Sequence, residues 1–236
     1  MNKLKNTLIA AIAIATISLT SAYAGMSIGV VGSVMDAKAS GTETDRLTAG
    51  GANVADTSTR TKSVSDNNLV GSIYAEYTMS ESSWPLSIGI EVTPGTADIS
   101  GKLSRTDTET SVTGNTKLGA TSVKRSAEAS VTDMATAYIE APLFGGLYAK
   151  VGIASLTVNH ANDSGMDNSS SLTGTNLGIG WKTTSASGYH IKASYEETDY
   201  DSINLRSTGN SVTANSTGVT ADVDTEAFRI SIGKDF

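Results

Sequence analysis

Eight stretches of this chain alternate apolar and polar residues one for one, the spacing that gives a β-strand two unlike faces. The last is the clearest: Phe228, Ile230, Ile232 and Phe236 fall at even positions, while Arg229, Ser231 and Gly233 fill the odd ones. At the other end, Met26, Ile28, Val30 and Val34 alternate with Ser27, Gly29 and Ser33. Between them, Leu69, Ile73, Ala75 and Tyr77 oppose Ser72, Tyr74, Glu76 and Thr78; Leu86, Ile88, Ile90 and Val92 oppose Ser87, Gly89, Glu91 and Thr93. A fourth stretch sets Ala135, Ala137 and Ile139 against Thr136, Tyr138 and Glu140, and a fifth sets Leu147, Ala149, Val151 and Ile153 against Tyr148, Lys150, Gly152 and Ala154. Leu177, Ile179 and Trp181 oppose Asn176, Gly178, Gly180 and Lys182 in the sixth; Tyr189, Ile191, Ala193 and Tyr195 oppose His190, Lys192, Ser194 and Glu196 in the seventh.

The connections alternate as well. Ser80 to Pro85, Pro142 to Gly146 and Thr183 to Gly188 are short, whereas Ala37 to Asn67, Gly95 to Ser130, Asn159 to Thr173 and Asp199 to Asp222 are long and polar. An even number of two-faced strands with short turns on one side and long loops on the other is the pattern of a transmembrane β-barrel. A soluble β-sandwich, which hides its apolar face in a core, has no need for every second connection to be long. Valines scattered among threonine, such as Val112, Val123, Val131, Val212, Val219 and Val223, predict that some strands continue past the membrane as hairpins.

Aromatic positions follow the same geometry. Tyr77, Trp84, Phe144, Trp181, Tyr189 and Phe236 lie within a few residues of a short turn or the C-terminus. Amphipathic rings settle at the lipid headgroup level, so these six predict a girdle on one side, with Tyr195 and Phe228 marking the other.

Residues 1–24 carry Lys3 and Lys5, an apolar run from Leu8 to Leu19, and Ala22-Tyr23-Ala24 before Gly25. A basic start, a short apolar run and a small-x-small site read as a cleavable signal peptide, which leaves 25–236 as one barrel domain. The run is too short for a comfortable helical span, which needs about 20 residues. Export implies passage through a translocon and cleavage by signal peptidase. The chain has 17 Lys and Arg against 24 Asp and Glu, and removal of the signal takes two of the lysines and no acid. Such acidity argues against a nucleic-acid partner. With no cysteine, the fold has to close through hydrogen bonds and packing.

A signal peptide, eight alternating strands and a terminal strand ending on Phe resemble the small bacterial outer-membrane barrels of the OmpA, OmpX and OmpW type. The resemblance covers residues 25–236 as an architecture. It implies an all-β, eight-stranded antiparallel up-and-down barrel in the outer membrane of a Gram-negative cell, both termini periplasmic, a monomer among outer-membrane lipid and lipopolysaccharide. It also implies that the barrel-assembly machinery reads Phe228, Ile230, Ile232 and Phe236. Lys234 departs from the usual apolar or Tyr residue at its position, and a lysine near a strand end can snorkel to the interface.

An eight-stranded barrel has an interior just wide enough for side chains to fill. By the alternation, Glu76, Glu91, Glu140 and Glu196 face inward with Lys150, Lys182, Lys192 and Arg229, four acids against four bases. A balanced set pairs across so narrow a space, which predicts a structural ion-pair network that occludes the lumen. The inward glycines at 89, 152, 178, 180 and 233 leave two readings open: a narrow wet path, or room for Tyr74, Tyr138 and Tyr148. The reading that follows is a structural or surface-interaction protein; a narrow porin-like channel for small solutes is the alternative, and a lipid-modifying enzyme a weaker one. The expectation is no enzyme. The two histidines support no catalytic pairing: His160 falls in a polar loop and His190 faces the lumen beside an inner turn. No paired-histidine spacing, cysteine or calcium-loop pattern calls for a metal or cofactor; the acidic positions 163, 167, 199, 201, 222 and 224 read as a hydrated outer surface.

Overall fold

The computed structural model describes residues 25–48, 55–79, 85–113, 116–162, 169–206 and 216–236. The signal-peptide reading of residues 1–24, Trp84 of the aromatic girdle, and Asp163, Asp167 and Val212 fall outside them.

Nine strands follow in order: β1 (Met26–Thr48), β2 (Ala55–Thr78), β3 (Ser87–Thr113), β4 (Thr116–Pro142), β5 (Leu147–Asn162), β6 (Ser169–Thr184), β7 (Tyr189–Tyr200), β8 (Ile203–Arg206) and β9 (Ser216–Asp235). Strands β1 to β7 pair antiparallel in sequence, β9 pairs with β7, and β9 also pairs with β1, which closes the sheet on itself. The four residues of β8 continue beyond β7 along the same neighbour, Ile203 opposite Ala221, so β7 and β8 form one stave of an eight-stranded barrel. At the closure, Gly25 N–H donates to the Phe236 carbonyl (3.2 Å) and Phe236 N–H to the Met26 carbonyl (2.8 Å). Full closure removes the sheet edges that lipid cannot satisfy.

The short turns match their residues. Leu143 N–H donates to the Leu147 carbonyl, and Leu147 N–H to the Phe144 carbonyl, around Gly145 and Gly146 at φ 58° and 86°. Two successive left-handed residues suit glycine and little else.

Every predicted strand is present, and several are much longer than their apolar alternation. β3 and β4 run 27 residues each, and β1 and β2 run 23 and 24. A tilted strand crosses a bilayer in about 9–11 residues. The stretches read as loops are in large part strand: β1 continues from Ala37 to Thr48, and β5 reaches Asn162, so His160 sits in a strand opposite Ala129 rather than in a loop. Toward the tip of a hairpin beyond the membrane both faces are wet, and the apolar contrast that marks a strand in sequence disappears.

The wall is inverted relative to a soluble protein. Val30, Ile73, Ile90, Val151, Ile179, Ile191, Ile230 and Ile232 stand exposed on the outside, while Glu76, Glu91, Glu140, Lys150, Lys192 and Glu196 are buried within. A continuous apolar exterior on every stave is suited to hydrocarbon, not water. Tyr77, Phe144, Trp181, Tyr189 and Phe236 are exposed around the short-turn end, and Trp181 Nε1–H donates to the Gly145 carbonyl (3.1 Å). Lys234 lies among them, its amine 5.2 Å from the Tyr189 ring centre and 5.6 Å from that of Phe236. Cation–π contact therefore accommodates the unusual lysine. Toward the other end, Tyr195 and Phe228 are register partners, both exposed.

Candidate functional site

The inward faces of the strands carry their side chains at three levels. Nearest the short turns, His190 of β7 is almost wholly buried, its Nε2 2.5 Å from the Tyr74 hydroxyl and its Nδ1 2.8 Å from the Asp235 carboxylate. Lys182 approaches the same carboxylate at 3.6 Å. Three strands, β2, β7 and β9, are thereby joined at the short-turn mouth.

The middle level holds the charges. Lys192 donates to Glu76 and, at 2.7 Å, to Glu140. Glu76 also accepts from Tyr138 (2.9 Å) and Ser27 (3.2 Å). One step outward, Lys150 donates to both oxygens of Glu196 (2.9 and 3.0 Å) and lies 3.8 Å from Glu91. Arg229 bridges the same two acids, donating to Glu196 at 2.8 Å and to Glu91, which also accepts from Ser72 at 2.6 Å. Each buried cation thus serves two carboxylates. Sharing of this kind is what makes buried charge tolerable, because a lone partner rarely repays the desolvation of both ions.

Seven of the eight predicted charges meet in this level, and the predicted four-to-four balance is not what it contains. Lys182 stands apart at the mouth, partly exposed and paired with Asp235, so three cations face four carboxylates. Its position at the start of the short β6–β7 turn accounts for the difference.

Of the five inward glycines, Gly89, Gly180 and Gly233 lie against tyrosine rings or hydroxyls, whereas Gly178 lies against Glu196 and Gly152 against the Ala137 carbonyl and Tyr138 Cβ; Gly29, outside that set, also lies against Tyr74. A methyl group on Gly29 would lie 2.5 Å from the Tyr74 ring, one on Gly180 the same distance from the Tyr148 hydroxyl, and one on Gly89 within 2.6 Å of the Tyr138 hydroxyl. The rings occupy the volume the missing side chains vacate. They also carry the cations: Lys150 Nζ is 4.1 Å from the Tyr138 ring centre, and Lys192 Nζ 5.2 and 5.5 Å from those of Tyr74 and Tyr148.

The outermost level is apolar, which the sequence reading missed. Met35, Ile99, Val131, Met134, Leu156, Leu172, Tyr200, Ile203 and Val223 belong to a buried cluster inside the barrel. A signal was present. Along β5 the apolar parity changes from Val151 and Ile153, facing out, to Leu156 and Val158, facing in; β1 makes the same switch from Val34 to Met35 and Ala37. A change of parity marks where lipid ends outside and a small core begins inside. On β4 the switch is masked by a bulge between Thr132 and Ala135, with Asp133 at φ 57°.

On the outer wall, just beyond Tyr195 and Phe228, register aligns Asp36, Glu226 and Glu197 in one row and Lys38, Asp224 and Asp199 in the next. Lys38 donates to Glu226, which holds that carboxyl below the usual carboxylate range. Burial, then the neighbouring Asp199 carboxylate, raises the Asp224 carboxyl above it. Among the described residues no group of three His, Cys, Asp or Glu is placed to hold a metal ion.

No family model matches the chain, and no curated protein sequence does. Among solved structures, the outer membrane protein OprG from Pseudomonas aeruginosa is similar over 91% of this chain and 97% of its own, at 13% identity and a TM-score of 0.41. Neisserial surface protein A aligns over 90% of this chain and 97% of its own, at 10% identity and a TM-score of 0.39. Ail, the attachment invasion locus protein of Yersinia pestis, aligns over 83% of this chain and 98% of its own, at 14% identity and a TM-score of 0.31.

Proposed function

We propose that this chain is a bacterial outer-membrane barrel with a sealed lumen, a structural or surface-interaction protein whose work is done by its wall and its long hairpins rather than by a pore. The observation that carries the reading is the filled interior: shared ion pairs, tyrosines seated on glycines, and an apolar cluster above them, stacked in series along one axis. A solute moving through the barrel would have to displace all three. The apolar cluster adds what a charged gate alone lacks, because it offers water no hydrogen-bond partner.

The reading assigns the protein to outer-membrane lipid and lipopolysaccharide as a monomer, with termini on the periplasmic side and Phe228, Ile230, Ile232 and Phe236 as the strand that the assembly machinery recognises. It assigns no catalytic step. His190 acts as a clamp between Tyr74 and Asp235 at the inner mouth, on the opposite side of the charged level from the long hairpins.

Two measurements test the proposal. A folded barrel recovered from the outer-membrane fraction migrates differently on a detergent gel before and after boiling; recovery in the soluble periplasmic fraction contradicts the location. Liposomes carrying the refolded protein should exclude small sugars and amino acids as protein-free liposomes do. Swelling in proportion to the protein added would favour the narrow channel instead.

A further inference from the structure

The ladder between β2 and β3 is far shorter than the strands that make it. Six residue pairs join them, from Ile73 opposite Val92 to Thr78 opposite Ser87. Both strands continue well past that point: β2 stays paired with β1 to Ala55, and β3 with β4 to Thr113. Among the described residues, the wall above Ile73 and Val92 has no backbone ladder across this one junction. Every other neighbouring pair of long staves is joined over ten or more residues.

The sequence of β3 supplies the cause. Pro94 has no N–H to give, Gly95 takes φ 106°, and the β3–β4 register slips between Thr93 and Thr96. The backbone ladder to β2 stops at this point, although β3 still runs beside it.

Among the described residues, the Asn68 side chain spans the interruption. Asn68 Nδ2–H donates to the Asp98 carbonyl at 2.7 Å, and Asp98 N–H donates to Asn68 Oδ1 at 2.9 Å. A carboxamide presents a donor and an acceptor side by side, the same pair that a residue of a neighbouring strand presents through its backbone. Asn68 thereby replaces a rung of the missing ladder. Its neighbours across β1 and β3, Met35, Ala97 and Ile99, belong to the apolar cluster that fills the outer lumen.

We infer that the β2–β3 junction above Ile73 and Val92 is a built seam in the barrel wall, clasped by Asn68, and that undoing the clasp parts the β1–β2 sheet from the β3–β4 hairpin while the base of the barrel stays closed. The clasp is local because the ladder below it is unbroken, β2 stays paired with β1, and β3 stays paired with β4 through its bulges. It also keeps the outer apolar cluster covered from the side, which the axial seal does not do. This inference is independent of whether the lumen conducts, since the seam lies in the wall.

Amide hydrogen exchange on the full chain refolded in lipid nanodiscs tests it, read residue by residue for the wild type, Asn68→Ala and Asn68→Asp. The alanine variant removes both hydrogen bonds and the aspartate variant removes the donor alone. In Asn68→Ala the Asp98 amide should exchange at least about tenfold faster, as expected for a two-point bond of this kind, while the amides of Tyr74, Ala75 and Ile90 in the ladder keep their wild-type rates. Asn68→Asp should retain most of the Asp98 protection, because its carboxylate still accepts. Unchanged Asp98 exchange in Asn68→Ala overturns the clasp, and uniform acceleration through the ladder overturns its being local.

Discussion

Tyr138 lays its ring across the backbone of Gly89, its register partner on the next strand, so closely that a methyl group there would come within 2.6 Å of the tyrosine hydroxyl. The same hydroxyl donates to Glu76 at 2.9 Å. One small residue therefore fixes a large ring, and the ring fixes one end of a buried ion pair.

Gly89→Ala should displace Tyr138 and cost about 1–3 kcal/mol of stability, the usual cost of overpacking a well-filled interior. Gly32→Ala is the matched control, since Gly32 has open space where its Cβ would be. Urea unfolding of both variants in lipid vesicles should separate them clearly; equal stabilities would mean that the ring has room to move.

Lys192 serves Glu76 and Glu140 together, so Lys192→Met leaves two buried carboxylates without their cation. The expected loss is about 3–5 kcal/mol, because removing one partner strands the other's charge. Adding Glu76→Gln and Glu140→Gln should recover a large part of it. A triple variant no more stable than Lys192→Met would show that the cost comes from packing.

Asp224 on the outer wall predicts a pH dependence of known sign. Its carboxyl is raised, first by burial and then by Asp199, so the folded state holds its proton more tightly than the unfolded chain does. The resulting contribution is fully present below the ordinary Asp value near ~3.9 and is lost as pH rises through the raised folded value. Asp224→Asn should therefore stabilise the barrel at neutral pH and have little effect at pH 3. Thermal unfolding of the two proteins at both pH values checks the sign, and equal shifts at both would contradict it.

Deleting Phe236 removes the final residue of β1–β9 closure and the end of the terminal apolar series. Assembly in cells should fall by much more than refolding yield in detergent, where no machinery reads the terminus. Equal losses in both settings would assign Phe236 a purely structural part.

The barrel was legible in the chain wherever lipid lay outside and charge inside. Ile230 and Ile232 against Arg229 and Ser231 need no structure to be read, because two unlike solvents impose opposite residues at alternate positions. Lys38 to Thr48 and Asn67 down to Ala55 were not legible as strands, since water on both faces permits Thr, Ser and Lys at either parity. The charged level was readable because inward parity is fixed by register, but the place of Lys182 at the mouth depends on the height at which β6 ends. The apolar cluster lay in plain view as a change of parity at Met35 and Leu156; reading each strand with one phase throughout concealed it. Asn68 carried no sequence signal at all. Its role follows from Pro94 and Gly95 on another strand.

The sealed lumen is the centre of this account, and single-channel recording in planar bilayers addresses it most directly. Purified wild-type protein, shown to be folded by its unboiled mobility, should insert without producing defined, reproducible conductance steps. Arg229→Ala, which removes the cation shared by Glu91 and Glu196, should lower the unfolding temperature and leave the apolar cluster above it in place. Stable, uniform steps from the wild-type protein, scaling with salt concentration, would contradict the account.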